Sequence, residues 1–342
     1  PLEWLVGLYG SDTQLHSPTQ FLAQVPRAPL VLVYGDDRYD SIRELAAYGE
    51  VSYQPAPTWT AAVGGRVFTI REHTLSDVVS EPFPPRHVDR RDTYSGFSPK
   101  ISLQKTFENG DLAYAVASEG YRAGGTNSGG AQPLPAQRGA FRPDRLINFE
   151  LGLKTRALDG RLLVNSAVFY DLWKDIQTDQ FRDVSGIPYT TNAGDAHILG
   201  VETEVSLALA NGLTAQVNGR VSRIRTTNAN TDFTATLSNG LPGAPAYSGG
   251  AILSYERPLA GSWVMRLMGQ ATYLGPSRVN FDINSPRTSG YARTKLAAEV
   301  EGRVAGAPVG LQVFVTNPLN AFSDTFSFGN PFNPPPSVRQ IT

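Results

Sequence analysis

Side chains able to do chemistry are sparse in this chain and set far apart. The four histidines, His16, His73, His87 and His197, are scattered, and none has the His-Glu-x-x-His spacing that brings two imidazoles to one metal ion. Cysteine is absent, which removes thiolate metal sites and disulfides. The Gly-rich run Ala123–Gly130 lacks the Lys-Ser/Thr ending of a phosphate loop and reads as a loop apex. No Gly-x-Ser-x-Gly nucleophile elbow occurs. What remains are two pairs of acids, Glu202 with Glu204 and Glu299 with Glu301. Paired carboxylates can serve as proton donor and base, yet two-residue spacing on one face is what any alternating strand delivers. They read as lining, not as a reaction centre. No catalytic residue, metal site or cofactor is assigned, and the chain is not expected to be an enzyme. Asp36-Asp37-Arg38 and Asp89-Arg90-Arg91-Asp92 read as solvated loops or as lipopolysaccharide-facing rims.

The elements that would position these residues follow a rhythm of turns. Tight turns recur about every fifty residues, near Pro55–Pro57, Glu108–Asp111, Leu158–Gly160, Ala210–Gly212, Ala260–Ser262 and Gly306–Pro308. Long polar loops are expected between them, over roughly 10–38, 72–92, 123–145, 182–194, 227–244, 275–288 and 317–337. The segments between turns alternate. Phe149, Leu151, Leu153 and Ala157 oppose Glu150, Lys154 and Arg156, and beyond Asn211-Gly212 the residues Leu213, Ala215, Val217 and Val221 oppose Thr214, Gln216, Asn218 and Arg220. Such runs hold a period of two for about nine to twelve residues, where globular strands average about five or six and a tilted membrane strand needs roughly nine to eleven. Tyr53, Trp59, Phe107 and Trp263 flank short turns, while Tyr9, Tyr170, Trp173 and Tyr273 lie towards the loop ends, as two membrane interfaces select. The pattern predicts an all-β, transmembrane antiparallel up-and-down β-barrel with about fourteen strands visible, running from 2–9 to a last one opening at 337. The fifty-residue period taken alone also leaves room for a soluble propeller-like binding module. A net charge of −1 argues against nucleic acid as a partner.

Consecutive motifs extend this reading. Glu119-Gly120-Tyr121-Arg122-Ala123-Gly124-Gly125 within Ala113–Asn127, Arg142-Pro143-Asp144-Arg145 leading into Asn148–Lys154, Phe169–Gln177, and Asn192-Ala193-Gly194 followed by Gly200–Glu204 together resemble the barrel of TonB-dependent receptors. The resemblance implies a twenty-two-stranded barrel closed around an N-terminal plug, of which residues 1–342 look like a later portion without plug or first strands. It further implies the outer membrane of a Gram-negative bacterium, contact with lipid and lipopolysaccharide, and a small-molecule ligand such as a ferric siderophore, haem, cobalamin or glycan. TonB-ExbB-ExbD would be reached only through a plug segment absent here. If ligand is contacted, the loops after 122, 182 and 227 are the candidates, with Tyr121, Arg122 and Asn127 as the residues to test, although Tyr121 and Arg122 could equally pack at a strand end. The alternative is a plugless passive channel, or a scaffold barrel with another chain filling the lumen or completing the wall.

Overall fold

A computed structural model of the chain describes residues 1–24, 27, 29–130, 132, 134–135, 138–181, 187–230, 238–278, 281, 287–321, 323–324 and 339–340. One fourteen-stranded antiparallel sheet dominates it. Its strands are β1 (Leu2–His16), a short continuation β2 (Thr19–Ala23), β3 (Val31–Ala56), β4 (Trp59–Ser80), β5 (Phe83–Thr106), β6 (Leu112–Arg122), β7 (Asp144–Ala157), β8 (Leu162–Lys174), β9 (Asp195–Ala210), β10 (Leu213–Thr227), β11 (Tyr247–Pro258), β12 (Val264–Leu274), β13 (Tyr291–Val304) and β14 (Ala307–Thr316). Both β1 and β2 pair with β3, and from β3 onward each strand pairs with the next in sequence. Strands β1 and β14 are the two edges, and no pairing joins them among the described residues.

The tight turns fall where the sequence places them, and each closes one end of a hairpin. Asn211-Gly212 links the paired ends Ala210 and Leu213. Gly212 there has φ +77, and a Cβ on it would lie 1.9 Å from the carbonyl oxygen of Glu256, so only glycine fits. The turn after β7 is longer than a two-residue Asp-Gly hairpin: Ala157 pairs with Leu162, and Leu158, Asp159 and Gly160 all adopt positive φ.

Two expected loops are instead strand. Within 10–38 the segments to His16, Thr19–Ala23 and from Val31 onward are strand, and 72–92 extends the next hairpin, so that β3, β4 and β5 reach 26, 22 and 24 residues, with only Glu81-Pro82 between β4 and β5. Their outer halves carry polar residues on both faces because neither face meets lipid, and hydrophobic alternation fades although pairing continues. Side-chain hydrogen bonds across the strands replace it: His73 lies 2.9 Å from Asp89, and His87 2.7 Å from Asp77. Strand β8 stops at Lys174, where Asp175 turns with φ 53 and its amide is capped by Asp195 at 3.0 Å. The chain then resumes as a separate ladder, Gln177–Phe181 against Pro188–Asn192. The strand expected from 337 lies largely outside the described residues.

Alternation separates two faces. On β4 the side chains of Ala62, Ile70, Glu72, Thr74, Ser76 and Val78 are buried on the concave side, whereas Val63, Val67, Arg71 and Val79 point out and are exposed. The outward row continues through Phe97, Ile101, Leu151, Val168, Val201, Val217, Leu253 and Leu296, all exposed. So broad an apolar band is far larger than a soluble monomer leaves in water, and a bilayer is the solvent that covers it. A modest core of Phe169, Ile176, Ala193, Ala196, Ile198, Leu241 and Phe281 packs inside, under the upper loops.

Candidate functional site

Above the apolar band, the inward faces of β3, β4 and β5 form a connected polar wall. Arg38 grips Asp40 with two prongs, Nε to Oδ2 at 2.7 Å and Nη2 to Oδ1 at 2.9 Å, and Thr74 Oγ1 donates to the same carboxylate at 2.6 Å. Ser76 donates to Asp36 Oδ1 at 2.7 Å, and Tyr34 OH reaches Asp36 Oδ2 at 3.3 Å. These partners are adjacent because the register sets Asp36 opposite Val78, Arg38 opposite Ser76 and Asp40 opposite Thr74.

This wall holds the Gly-rich loop inside the lumen. Arg38 Nη1 donates to the carbonyl of Thr126 at 2.9 Å and to Ser128 Oγ at 3.3 Å. Ser128 donates to Asp36 at 3.3 Å, the amide of Gly130 donates to Tyr34 OH at 3.1 Å, and Arg86 reaches the carbonyls of Ser128 and Gly130. Thr126 Oγ1 reaches Asp92 at 3.4 Å. Charge-assisted bonds of this kind are stronger than neutral ones, and a buried network fully supplied with partners rigidifies what it joins. Burial pushes the Tyr34 phenol up to about 12, with the Asp36 carboxylate adding to the effect. Glu72 stands apart: it is 8 % exposed, and its Oε2 has no hydrogen-bond partner among the described residues. Burial first, and then the nearby Asp40 carboxylate, push its carboxyl up to about 7.

The three residues singled out in the sequence come to this same upper end, each engaged with protein. Strand β6 pairs with β5 only as far as Ser118, while its pairing with β7 continues to Arg122. Past the parting, the Tyr121 ring stacks on Phe68 at 3.5 Å and its hydroxyl donates to Glu44 at 2.9 Å. Arg122 clasps the buried Asp144, Nε lying 3.0 Å from both carboxylate oxygens, and its guanidinium sits 5.3 Å from the Trp173 ring centroid. Asp144 also accepts from Trp173 Nε1 at 3.0 Å and from the amide of Gln177 at 3.3 Å. Asn127 ties two loops together: its Nδ2 donates to the carbonyls of Arg138 and Thr190, and its Oδ1 accepts from the Thr190 amide at 2.9 Å. Within the loops after 182 and 227, residues 182–186 and 231–237 lie outside the described residues.

The charge clusters turn out to be strands divided between faces. Asp36, Arg38, Arg90 and Asp92 point inward; Asp37, Asp89 and Arg91 point outward. Sequence reasoning missed Tyr34, Asp36, Arg38, Asp40, Glu72 and Arg86 because it ended the strands early. The signal that could have found them was the complementary order of His and Asp in 73–77 and 87–89, a cross-strand charge match. Lower in the lumen, Glu202 and Glu204 face a cleft of about 430 Å³ also lined by Tyr114, Lys154 and Arg220. Glu299 and Glu301 converge on Arg266, Glu301 at 2.9 Å. Among the described residues no three His, Cys, Asp or Glu side chains converge as a metal site.

Long hairpins, apolar outside and polar inside, with a loop drawn into a polar mouth, define the wall of a transmembrane β-barrel receptor. The chain belongs to the TonB-dependent receptor family: residues 2–317 match the family described as TonB dependent receptor-like, beta-barrel. It is 25% identical over 252 residues to a pesticin receptor of Yersinia enterocolitica, covering 73% of this chain and 35% of that protein, so the chain spans about a third of the curated relatives it matches. Among solved structures, the ferric yersiniabactin uptake receptor FyuA from Yersinia pestis superposes with a TM-score of 0.78 at 21% identity, over 96% of this chain and 48% of that one. The copper transporter OprC superposes with a TM-score of 0.64 at 14% identity, over 100% of this chain and 56% of that one.

Proposed function

We propose that the chain forms part of the wall and mouth of an outer-membrane receptor that imports a scarce solute into a Gram-negative bacterium, with a ferric siderophore as the favoured cargo class. The observation carrying this reading is the inward network of Tyr34, Asp36, Arg38 and Arg86, which fixes the 123–130 loop as a rigid, polar surface facing the mouth. Pre-organised surfaces of this kind bind without first ordering themselves. In this proposal Tyr121, Arg122 and Asn127 hold the platform on which ligand rests. Support for the cargo class comes from the relatives named for pesticin and for ferric yersiniabactin; the copper transporter shows that one fold serves several cargoes. Energy from TonB-ExbB-ExbD would enter through a plug segment beyond this chain.

The test is uptake by the full-length receptor in a receptor-deficient strain grown on limiting iron. Ferric-siderophore uptake should be restored by the wild type and reduced by Arg38→Ala, which frees the loop, with outer-membrane levels of receptor unchanged. Uptake that does not depend on the full-length receptor for any ferric siderophore tried would overturn the cargo class.

A further inference from the structure

The outward face of β1, β3, β4 and β5 can be followed level by level, since the register places one residue of each strand in every row. Five successive rows, from the one holding Tyr53 and Ala61 to the one holding Leu45 and Thr69, contain no charged side chain. Ala61 to Thr69 is roughly 27 Å of strand at about 3.4 Å per residue, or about 20 Å of height once tilted, close to the ~25 Å apolar band of outer-membrane barrels. Charge then begins abruptly. The next row holds Asp12, Arg43, Arg71 and Thr93, and the row above it holds His73 and Arg91.

Arg43 and Arg71 face each other directly across β3 and β4. Like charges so placed repel and destabilise the pair of strands unless an anion lies between them. Arg43 has Asp12 at 2.9 Å. Asp89, on the same face, is bonded to His73. Arg71 is exposed and has no ion pair or hydrogen-bonding side chain among the described residues. Three guanidinium groups are thus clustered at the upper margin of the lipid-facing band, and two of them, Arg71 and Arg91, have no ion-pair partner among the described residues.

We propose that Arg71, with Arg43 and Arg91, binds the phosphate groups of a phosphorylated glycolipid in the outer leaflet. The inference rests on the outer-membrane reading given above. Guanidinium supplies two parallel N–H donors that match a phosphate bidentately, and a phosphate between Arg43 and Arg71 removes their repulsion. The glycolipid's acyl chains then run down the apolar rows below.

The test uses the full-length receptor, extracted from membranes in mild detergent and stripped of lipid. Native mass spectrometry follows retention of diphosphorylated lipid A and of the same lipid with its phosphates removed. The wild type should prefer the phosphorylated form. Arg43→Ser with Arg71→Ser should weaken that binding about tenfold or more, the scale of losing charged hydrogen bonds. Arg71→Lys, which keeps charge but loses the paired donors, should fall between. Lys105→Ser removes a cation at the lower end of the same face and should leave retention unchanged. Equal retention by wild type and the double variant, or equal binding of the phosphate-free lipid, overturns the site. Membrane fractionation keeps the two readings apart: wild-type receptor absent from the outer-membrane fraction defeats the receptor reading itself, whereas normal fractionation with phosphate-insensitive retention defeats only this site.

Discussion

Glu72 is the residue whose chemistry is least balanced by its surroundings. Its carboxyl is buried, faces Asp40 and Asp92 together with Arg38 and Arg90, and has its ionisation pushed from 4.5 up to about 7. Folding therefore favours the protonated form. Between about pH 4.5 and 7 the folded protein holds this proton more tightly than the unfolded chain, so the contribution to stability is greatest at the acid end, declines through that window, and stays at its lower value above about 7. Thermal unfolding of the receptor in detergent across this range should show the midpoint falling as pH rises. Glu72→Gln should remove that part of the slope; an unchanged slope would mean that Glu72 is not the group responsible. None of this was legible from the residue itself, since a glutamate in 72–92 looked like loop charge. Tyr121, Arg122 and Asn127 were legible as a cluster because they sit in a consecutive family-like run. Their partners were not: Phe68, Asp144 and Thr190 are distant in sequence, and only the completed sheet sets them alongside.

At the scale of elements, local pattern predicted well wherever one face meets lipid. The alternation of β9 and β10 gave their extents to within a residue or so, as did Asn211-Gly212 between them. Pattern failed where both faces are wet, in the outer halves of β3, β4 and β5, because strand pairing there rests on ion pairs and hydrogen bonds that leave no hydrophobic period. Face assignment itself can be tested on β9. Val205 points outward in a row with Val164 and Val217, while Glu204 faces the inner cleft. An arginine in mid-bilayer costs about 2–4 kcal/mol, so Val205→Arg should destabilise the barrel by roughly that much. Glu204→Gln, next to it but in a hydrated lumen, should cost much less. Reversible unfolding in detergent or lipid would measure both, and equal costs or the opposite order would invert the faces.

For the whole molecule, the governing fact is that among the described residues the sheet's two edges are not paired with each other. Strands β1 and β14 are exposed along almost every residue, and their outward side chains, Leu2, Trp4 and Leu8 on one and Leu311 and Val313 on the other, are as apolar as the middle of the wall. An open strand edge cannot be left in hydrocarbon, where each unsatisfied amide or carbonyl costs several kcal/mol. Since the chain spans 48% of the FyuA chain on which it superposes, we expect both edges to be met, in the working receptor, by strands outside the described sheet. Backbone hydrogen exchange on the full-length receptor decides this. Amides of Leu2–His16 and Ala307–Thr316 should be as strongly protected as those of the interior strand Leu213–Thr227, because protection follows hydrogen bonding and exclusion of water. If alternate amides of either edge strand exchanged orders of magnitude faster than the interior, that edge would be free. The wall would then have to be completed by a partner chain that leaves part of the edge open to water. Uniform protection along both edges would instead make this fourteen-stranded sheet a continuous sector of one larger closed wall, which is the arrangement that lets the mouth built by β3, β4 and β5 face an enclosed lumen.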